Sequence, residues 1–393
     1  MRTLATSRHE PVSVAGDRSA GDRPGARASW IEAATATVAT RVMLVAVAYA
    51  AAWFLASTEG PLQVSFVDMW DNWDARLFAI IAEDGYFGPD RGLHATAFFP
   101  LYPLLMRAVG ATGLNLIVAG MIISFVSTVV AGTYLHRLVE EEVGEGSGRH
   151  AVLYLLLFPT AVFLVAPYSE ALFLAGAIPA FYYARRSRWL LAGAFAAVAM
   201  GARFAGAFVL IGLAVEFLRQ RDFSLEKAAN ALTGLVVGAL PFLAYAAYLA
   251  QTTGNPFHFV LDQREGWGRQ FVGPINSFLN TYNTWEGADY PTNWRFAWRV
   301  EILAAAVGVG FVIWAVTKRE WGYGAYMGTF LAVLVTSSWY YSIPRMLLSF
   351  WPALVFLAAF ARGGRARHEY VLILLIPLAT LGAVVFTRGA WFY

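Results

Sequence analysis

The chain has no cysteine among its 393 residues, and charged side chains make up only 14% of it. Without a thiol, the protein can form no disulfide, use no cysteine nucleophile and bind no zinc through sulfur. Soluble domains carry about 25% charged residues, whereas 58% of this chain is hydrophobic. A water-soluble core cannot hide that much apolar surface, so the composition indicates a protein embedded in a membrane.

The sequence contains several long apolar runs with few or no charged residues. Examples are residues 42–56, 114–135, 232–250 and 302–316, which approach or reach the roughly 17–25 residues that span a bilayer. The net charge is only +3, and the basic residues lie in short loops, where they report on topology and not on nucleic-acid binding. We therefore predict an all-α, polytopic transmembrane protein whose partner is the lipid bilayer and which binds no nucleic acid.

Basic loops mark the cytoplasmic ends of membrane helices, and threading the chain by this rule gives about ten to twelve hydrophobic helices. Residues 1–37 are expected to be a disordered cytoplasmic tail, and residues 38–393 to form one transmembrane domain. The threading puts residues 59–96, the loop 251–298 and the turn 339–345 on the outer face. The polar loops of the outer face are therefore expected to lie together.

The segment 189–218 is too long for one helix whose two ends both carry arginines, with Arg203 in its middle. A single span would put Arg219 and Arg221 on the wrong side of the membrane. Two short helices joined by a turn near residues 201–206 keep both ends inside. This arrangement buries Arg203, which protein or water must then neutralise.

Three aspartates, Asp68, Asp71 and Asp74, are spaced three residues apart in "DMWDNWDARLFAIIAEDGY". In one interpretation Asp71 is a helix N-cap and Asp74 lies at the third helical position, where carboxylates are favourable. In a second, the cluster binds a hard cation. In a third, one carboxylate is a general base for an acceptor hydroxyl. The apolar spacing behind the aspartates predicts a short amphipathic outer-loop helix at the membrane surface.

Several stretches together resemble a known family. They are "WDARLFAIIAEDGY", "HATAFFPLYPLL", "APYSEALF", "GARFAGAF" and, more loosely, "YSIPRMLLSFWP". The chain resembles the PIG-V-like GPI mannosyltransferases, as a prokaryotic-type member. The resemblance implies a GT-C-like glycosyltransferase domain that takes mannose from polyprenyl-phosphate mannose and uses an acidic residue in the first outer loop.

The Trp-Asp pair of the family motif falls on Trp73 and Asp74. The resemblance therefore implies that Asp74 is the general base, with Asp71 as the reserve candidate and Trp73 beside the substrate. Animal members carry a histidine two positions after the motif aspartate, where this chain has Arg76. Whether Arg76 takes over a role of that histidine stays open.

A polyprenyl-phosphate leaving group gains negative charge as the glycosidic bond breaks, and arginines suit its stabilisation. Arg203 and Arg345 are the expected partners of this phosphate. The alternative is an interfacial arginine or a structural ion pair. Glu170, in "APYSEALF", matches the family, and the alternative role for it is a partner of a helix dipole.

The outer-loop stretch "NPFHFVLDQREGWGR" supplies Gln263, Arg264 and Arg269 among aromatic residues. This combination suits sugar stacking and phosphate binding, or else an amphipathic helix that seals the membrane surface. His94 is a further candidate for substrate binding. The alternative for both His94 and His258 is a structural role, in which the imidazole only forms hydrogen bonds within the protein. No metal and no cofactor are expected, because an arginine can meet the single charge of a lipid monophosphate.

The sequence thus predicts a multi-pass enzyme of the cell membrane with a cytoplasmic N-terminus. It would transfer mannose from polyprenyl-phosphate mannose, with inversion, to a hydroxyl of a glycolipid or glycan acceptor on the outer face. A membrane transporter of a lipid or glycolipid is the alternative, which inverted repeats would favour. A noncatalytic membrane subunit of a glycosylation complex is a third class.

Overall fold

The computed structural model describes residues 26–54, 65–88, 94–220, 224–286 and 292–390. Within these ranges the chain is helical and holds no β-strand, apart from an isolated bridge between Phe271 and Ser337. The helices are α1 (Ala26–Phe54), α2 (Asp74–Asp84), α3 (Leu101–Gly110), α4 (Leu116–Glu142), α5 (Ser147–Leu156), α6 (Glu170–Ala184), α7 (Trp189–Ala202), α8 (Gly206–Gln220), α9 (Leu225–Thr253), α10 (His258–Trp267), α11 (Pro274–Glu286), α12 (Thr292–Thr317), α13 (Trp321–Leu334), α14 (Ile343–Met346), α15 (Pro352–Ala361) and α16 (Arg365–Thr387). Short 3₁₀ turns cover Ala95–Ala97, Ala161–Leu164 and Leu347–Ser349.

Among the described helices, α1, α4, α9, α12 and α16 are long and apolar enough to cross a membrane. The segments Ile343–Ser349 and Pro352–Ala361 would make a sixth span, broken by a bend of 76°. The long helices expose apolar side chains such as Leu240, Ile313 and Ile373 on their outward faces, as lipid contact requires. The predicted all-α, polytopic membrane fold is confirmed.

Other apolar stretches that the sequence assigns to spans form shorter helices inside the bundle. Helix α6 has 15 residues, about 22 Å at 1.5 Å per residue, less than the roughly 30 Å of a bilayer core. Almost all of its side chains are buried, and it packs on α4, α7 and α8. Because α6 contacts protein and not lipid, it need not span the whole hydrocarbon layer.

The predicted break in the segment 189–218 is confirmed, since α7 ends at Ala202 and α8 begins at Gly206. A Cβ atom on Gly206 would lie 2.3 Å from the Cα of Met200, so the turn needs a glycine here. Arg203 adopts extended backbone at the end of α7. The break therefore puts a guanidinium at the end of two apolar helices, inside the protein.

Helix α1 begins at Ala26 and so includes residues 26–37, which the sequence assigns to the tail. Polar contacts with α4 accompany this early start, because Glu32 lies 2.6 Å from His136, and Arg137 donates a 2.9 Å hydrogen bond to Ser29. Residues 1–25 lie outside the described part of the chain. The helix thus extends beyond its apolar segment along the polar end of α4.

The loops that the charge pattern assigns to one side meet at one end of the bundle. Arg185 follows α6 there and contacts Glu142 at 2.5 Å and Glu320 at 2.6 Å. At the opposite end, Asn72 donates a hydrogen bond of 3.1 Å to the carbonyl of Phe386. The relative grouping of the loops agrees with the threading, while the side on which each end lies remains a prediction.

Candidate active site

Asp74 is the first residue of α2, the short helix predicted behind the aspartates. The N-cap is Trp73, whose side chain makes no capping hydrogen bond and whose φ is 55°. Asp71 is therefore not the N-cap, and Asp74 is not at the third helical position, so the capping interpretation is wrong. A non-glycine residue with positive φ stores backbone strain, which is concentrated at functional sites.

Tyr168 holds the backbone on both sides of Trp73. Its hydroxyl donates to the carbonyl of Asn72 and accepts from the N–H of Asp74, each at 3.2 Å. Burial, followed by the nearby Asp74, raises the pKa of Tyr168 well above its ordinary value, so the hydroxyl keeps its proton. Tyr168 was not among the residues predicted from the sequence, although it lies in the stretch "APYSEALF".

Four charged side chains form a continuous chain of ion pairs, which we call the Asp74 cluster. Arg345 Nη1 lies 2.5 Å from Asp74 Oδ2, and Arg345 Nε contacts Glu170. Glu170, which is fully buried, also contacts Arg203. Two carboxylates and two guanidiniums thus balance in charge, as buried charges must.

One oxygen of Asp74 is left over in this arrangement. Its Oδ2 is fixed by Arg345, while its Oδ1 forms no hydrogen bond to a described residue. The Arg345 guanidinium also lies beside two neighbouring rings, with its Cζ 4.6 Å from the Tyr168 centroid and 4.9 Å from the Phe163 centroid. The carboxylate is therefore oriented and has a free acceptor atom.

Glu301 sets the position of the segment that carries Arg345. Its carboxylate is buried and accepts from the N–H groups of Ser342 and Ile343, at 2.7 Å and 2.8 Å. Ser342 has φ of 62° at the start of α14. Glu301 was not among the residues predicted from the sequence, where the only signal for it is an acid directly before the apolar run 302–316.

A cavity of about 780 Å³ borders the Asp74 cluster. Asp74, Arg203 and Arg345 lie on its polar wall. Its aromatic and apolar lining includes Trp73, Phe98, Phe99, Tyr168, Phe204, Phe208, Phe259, Trp267, Phe271, Phe330, Val333, Leu334, Trp339 and Tyr341. Such a site, mostly apolar with a few convergent polar groups, is typical of small-molecule binding. It has room for a sugar and part of a lipid chain.

Arg269 also lines this cavity, after α10. Its Nη2 donates to the carbonyl of Tyr341 at 3.3 Å, its Nε is buried with no hydrogen-bond partner, and it forms no ion pair with a described residue. Burial lowers the pKa of this guanidinium from its ordinary value, partly opposed by Tyr341 and Glu301. Since the Asp74 cluster is balanced by itself, Arg269 adds to the cavity wall a guanidinium that is not held in a direct ion pair with a described residue.

The predicted site residues separate into two groups. Trp73, Asp74, Arg203, Gln263 and Arg345 line the cavity, and Glu170 lies directly behind two of them. The others are outside the lining: Arg76 and Arg264 are exposed, Asp71 is half-buried with an unpartnered Oδ1, and His94 lies beside Asp262 and Glu265. The structure thus brings together residues from five separate parts of the sequence.

The sequence is similar to that of a known family of proteins. Residues 58–251 match the family model described as Mannosyltransferase (PIG-V). The chain belongs to the PIG-V mannosyltransferase family. The chain is also similar in sequence to GPI alpha-1,6-mannosyltransferase 2 of Cricetulus griseus, with 34% identity over 146 residues. That match covers 34% of this chain and 28% of the relative, so the chain spans little more than a quarter of the relative's length.

The part of the chain that matches the PIG-V family contains Asp74, Glu170 and Arg203, but not Arg345, Arg269 or Glu301. The fold therefore brings residues from outside the matched range to the same site. The prokaryotic type of this PIG-V member stays a prediction.

Proposed function

We propose that this PIG-V family protein transfers mannose from polyprenyl-phosphate mannose to a hydroxyl group of a glycolipid or glycan on the outer face of the cell membrane. The observation that carries the proposal is the Asp74 carboxylate, fixed through Oδ2 and free at Oδ1, on the polar wall of the cavity. A single oriented carboxylate within hydrogen-bond reach of a hydroxyl is what general base catalysis requires.

In the proposed reaction the acceptor oxygen attacks the anomeric carbon from the face opposite the phosphate. The bond from that carbon to the phosphate oxygen breaks, the proton of the hydroxyl passes to Asp74, and polyprenyl phosphate leaves. Attack from the opposite face inverts the configuration, so that a β-linked donor gives an α-linked product. Asp71 remains the reserve base, although it does not line the cavity.

We assign the donor phosphate to the cationic part of the wall. Arg203 and Arg345 lie there but are each paired with a carboxylate, whereas Arg269 forms no ion pair with a described residue. In a partly closed, low-dielectric site, a guanidinium without a direct ion pair stabilises a leaving phosphate more strongly than one that already contacts a carboxylate. Arg269 is therefore the principal phosphate ligand, and Arg203 and Arg345 complete the positive surface.

The apolar part of the cavity suits the isoprenoid chain of the donor. Phe204 and Val333 line the cavity and are also exposed, by 40% and 52%. They lie on or beside two neighbouring helices, α8 and α13, whose outer surfaces are apolar. A lipid chain can pass between these residues into the bilayer while its phosphate stays at the polar wall.

Sugar rings have aromatic partners in the cavity lining, since Trp73, Trp267 and Trp339 line the cavity together with Gln263. Indole faces stack on the apolar faces of sugars, and an amide donates to and accepts from hydroxyls. Arg76, Arg264 and His94, which lie outside the lining, receive no substrate contact in this proposal.

The test uses the purified protein in nanodiscs with radiolabelled polyprenyl-phosphate mannose and candidate glycolipid acceptors. We predict that Asp74→Asn still folds but lowers turnover per folded molecule by roughly 10²–10⁴-fold, the usual contribution of a general base. Its melting temperature should fall, because the variant removes one of the two carboxylates paired with Arg345. Asp68→Asn, at an exposed position outside the cavity, is the matched control and should be silent.

Near wild-type turnover of a folded Asp74→Asn protein would remove Asp74 as the base and make Asp71 the next residue to change. Movement of labelled lipid across the membrane with no labelled product, in wild type and variant alike, would favour the transporter alternative instead.

A further inference from the structure

A cluster of metal-ligand side chains lies beside the cavity, outside the residues that take part in the proposed reaction. His94 stands just before the turn Ala95–Ala97, and Asp262 and Glu265 belong to α10. One ligand atom from each lies within 4.8 Å of the other two. Asp262 and Glu265 are three residues apart, so both carboxylates project from the same face of α10.

The separations in this cluster differ from those of direct hydrogen bonds. His94 Nδ1 lies 3.6 Å from Asp262 Oδ1 and 3.9 Å from Glu265 Oε2, whereas hydrogen bonds of this kind measure about 2.7–3.2 Å. Zinc bonds of about 2.0–2.2 Å to nitrogen and oxygen put neighbouring ligand atoms of a tetrahedral site roughly 3.4 Å apart. The cluster therefore has nearly the spacing of ligands around an ion.

Asp262 is positioned as a ligand by a neighbour. It is only 6% exposed, and its Oδ2 accepts hydrogen bonds from the N–H and the hydroxyl of Thr96, at 2.9 Å and 2.5 Å. Its Oδ1 has no hydrogen bond to a described residue and faces His94. Carboxylates that bind a metal are commonly oriented by hydrogen bonds from residues that do not themselves contact the metal.

The backbone of α10 also makes room for the histidine ring. A Cβ atom on Gly266 would lie 3.0 Å from three atoms of His94. A larger residue at this position would push the imidazole away from Asp262 and Glu265. The glycine thus permits the close approach that brings the three ligand atoms together.

We propose that His94, Asp262 and Glu265 bind one divalent transition-metal ion, for which zinc is the best fit, with water completing the coordination. One imidazole and two carboxylates are a ligand set that suits zinc or manganese. The ion would connect α10 to the turn Ala95–Ala97. Because Gln263 and Trp267 of α10 and Phe98 after the turn line the cavity, the ion would fix two of its walls, without taking part in sugar transfer.

Binding is measured on the full-length protein in nanodiscs, purified without a polyhistidine tag and treated with EDTA. The chain has no cysteine, so no thiol competes for zinc. Titration calorimetry with zinc chloride should give one ion per chain, with weaker binding of manganese and none of calcium at the same concentrations. Zinc should also raise the melting temperature, which requires no activity assay.

The variants His94→Gln and Glu265→Gln should each weaken zinc binding by about tenfold or more and remove the thermal shift. Glu83→Gln, at an exposed acid on α2, and His258→Gln, which is 3.7 Å from the same Asp262 oxygen, are the controls and should retain it. Glu265 is exposed, so its replacement leaves the fold intact even where His94→Gln does not.

Equal zinc affinity in wild type and Glu265→Gln, or no zinc bound by wild type, would overturn the proposal. Loss of binding in His258→Gln but not in His94→Gln would overturn the ligand assignment. Neither result would affect the assignment of Asp74 as the base.

Discussion

Two clusters of buried charge lie at opposite ends of the central helix α6. The Asp74 cluster joins Glu170, the first residue of α6, to Arg203, Arg345 and Asp74. The second, which we call the Arg185 cluster, joins Arg185, just after α6, to Glu142, Glu216 and Glu320. The same physical device, a guanidinium shared between carboxylates, appears at both ends.

The surroundings of the two clusters differ. Three members of the Asp74 cluster line the large cavity, and Asp74 keeps one oxygen free. No member of the Arg185 cluster lines that cavity. Its guanidinium lies over the Tyr323 ring at 4.1 Å, while the Tyr323 hydroxyl donates to Glu142 at 2.8 Å. The Arg185 cluster connects the ends of α4, α6 and α8 with the residue before α13, which is a structural task.

Buried ion pairs cost desolvation energy, which their attraction often fails to exceed, so they are weak evidence for stability alone. The comparison shows what else such a pair can supply. At one end it fastens loops, and at the other it orients a carboxylate at a cavity. Chemistry is therefore expected at the Asp74 end only.

The largest expected effect is the presence or absence of chemical labelling, which reports the side of the membrane on which each end of the helix bundle lies. Because the chain has no cysteine, single cysteines can report accessibility. We predict that Asp84→Cys and Asn276→Cys react with an impermeant maleimide in intact cells, while Lys318→Cys and Arg365→Cys react only after permeabilisation. These four positions are exposed. The reverse pattern would put the proposed active site on the cytoplasmic side.

The next largest effect separates the roles of the two clusters. We predict that Arg345→Ala lowers turnover by on the order of 10²-fold, because misplacing a catalytic group by about 1 Å has that consequence. Arg345→Lys should retain part of the activity, since the charge survives and the bidentate fork does not. The measurement is turnover per folded molecule, with the folded fraction taken from size-exclusion chromatography.

Arg185→Ala is the counterpart at the other end. Removing one partner of a buried pair costs about 3–5 kcal/mol, so its melting temperature should fall while turnover per folded molecule stays near wild type. A similar loss of turnover in folded Arg185→Ala and Arg345→Ala would contradict the distinction between the clusters.

Local features of the fold were predictable from the sequence. The break between α7 and α8 follows from arginines at both ends of one apolar run and from glycines at its centre. The short helix behind Asp74 follows from its apolar spacing. Both depend on residues close together in the chain, where periodicity and charge are directly readable.

The ion pairs were not predictable in the same way. Asp74 and Arg345 are 271 residues apart, and Glu170 and Arg345 are 175 apart, so no local pattern records that they meet. The sequence indicated that Arg203 needed neutralising, but not that Glu170 does it. The helix start at Asp74 was missed because Tyr168, from a distant segment, holds the backbone there in place of a side-chain cap.

The smallest expected effect concerns Arg269, the one guanidinium on the cavity wall that forms no direct ion pair with a described residue. We predict that Arg269→Ala lowers kcat/KM for the polyprenyl-phosphate donor by about tenfold, or roughly 1.4 kcal/mol in the transition state, and leaves the KM for the acceptor unchanged. Arg269→Lys should retain part of the donor specificity. Arg264→Ala is the matched control, because Arg264 lies on the adjacent helix α10, is exposed and does not line the cavity. Unchanged donor kinetics in a folded Arg269→Ala protein would assign the phosphate to Arg203 and Arg345, and the charge balance of the Asp74 cluster would then have to change when the donor binds.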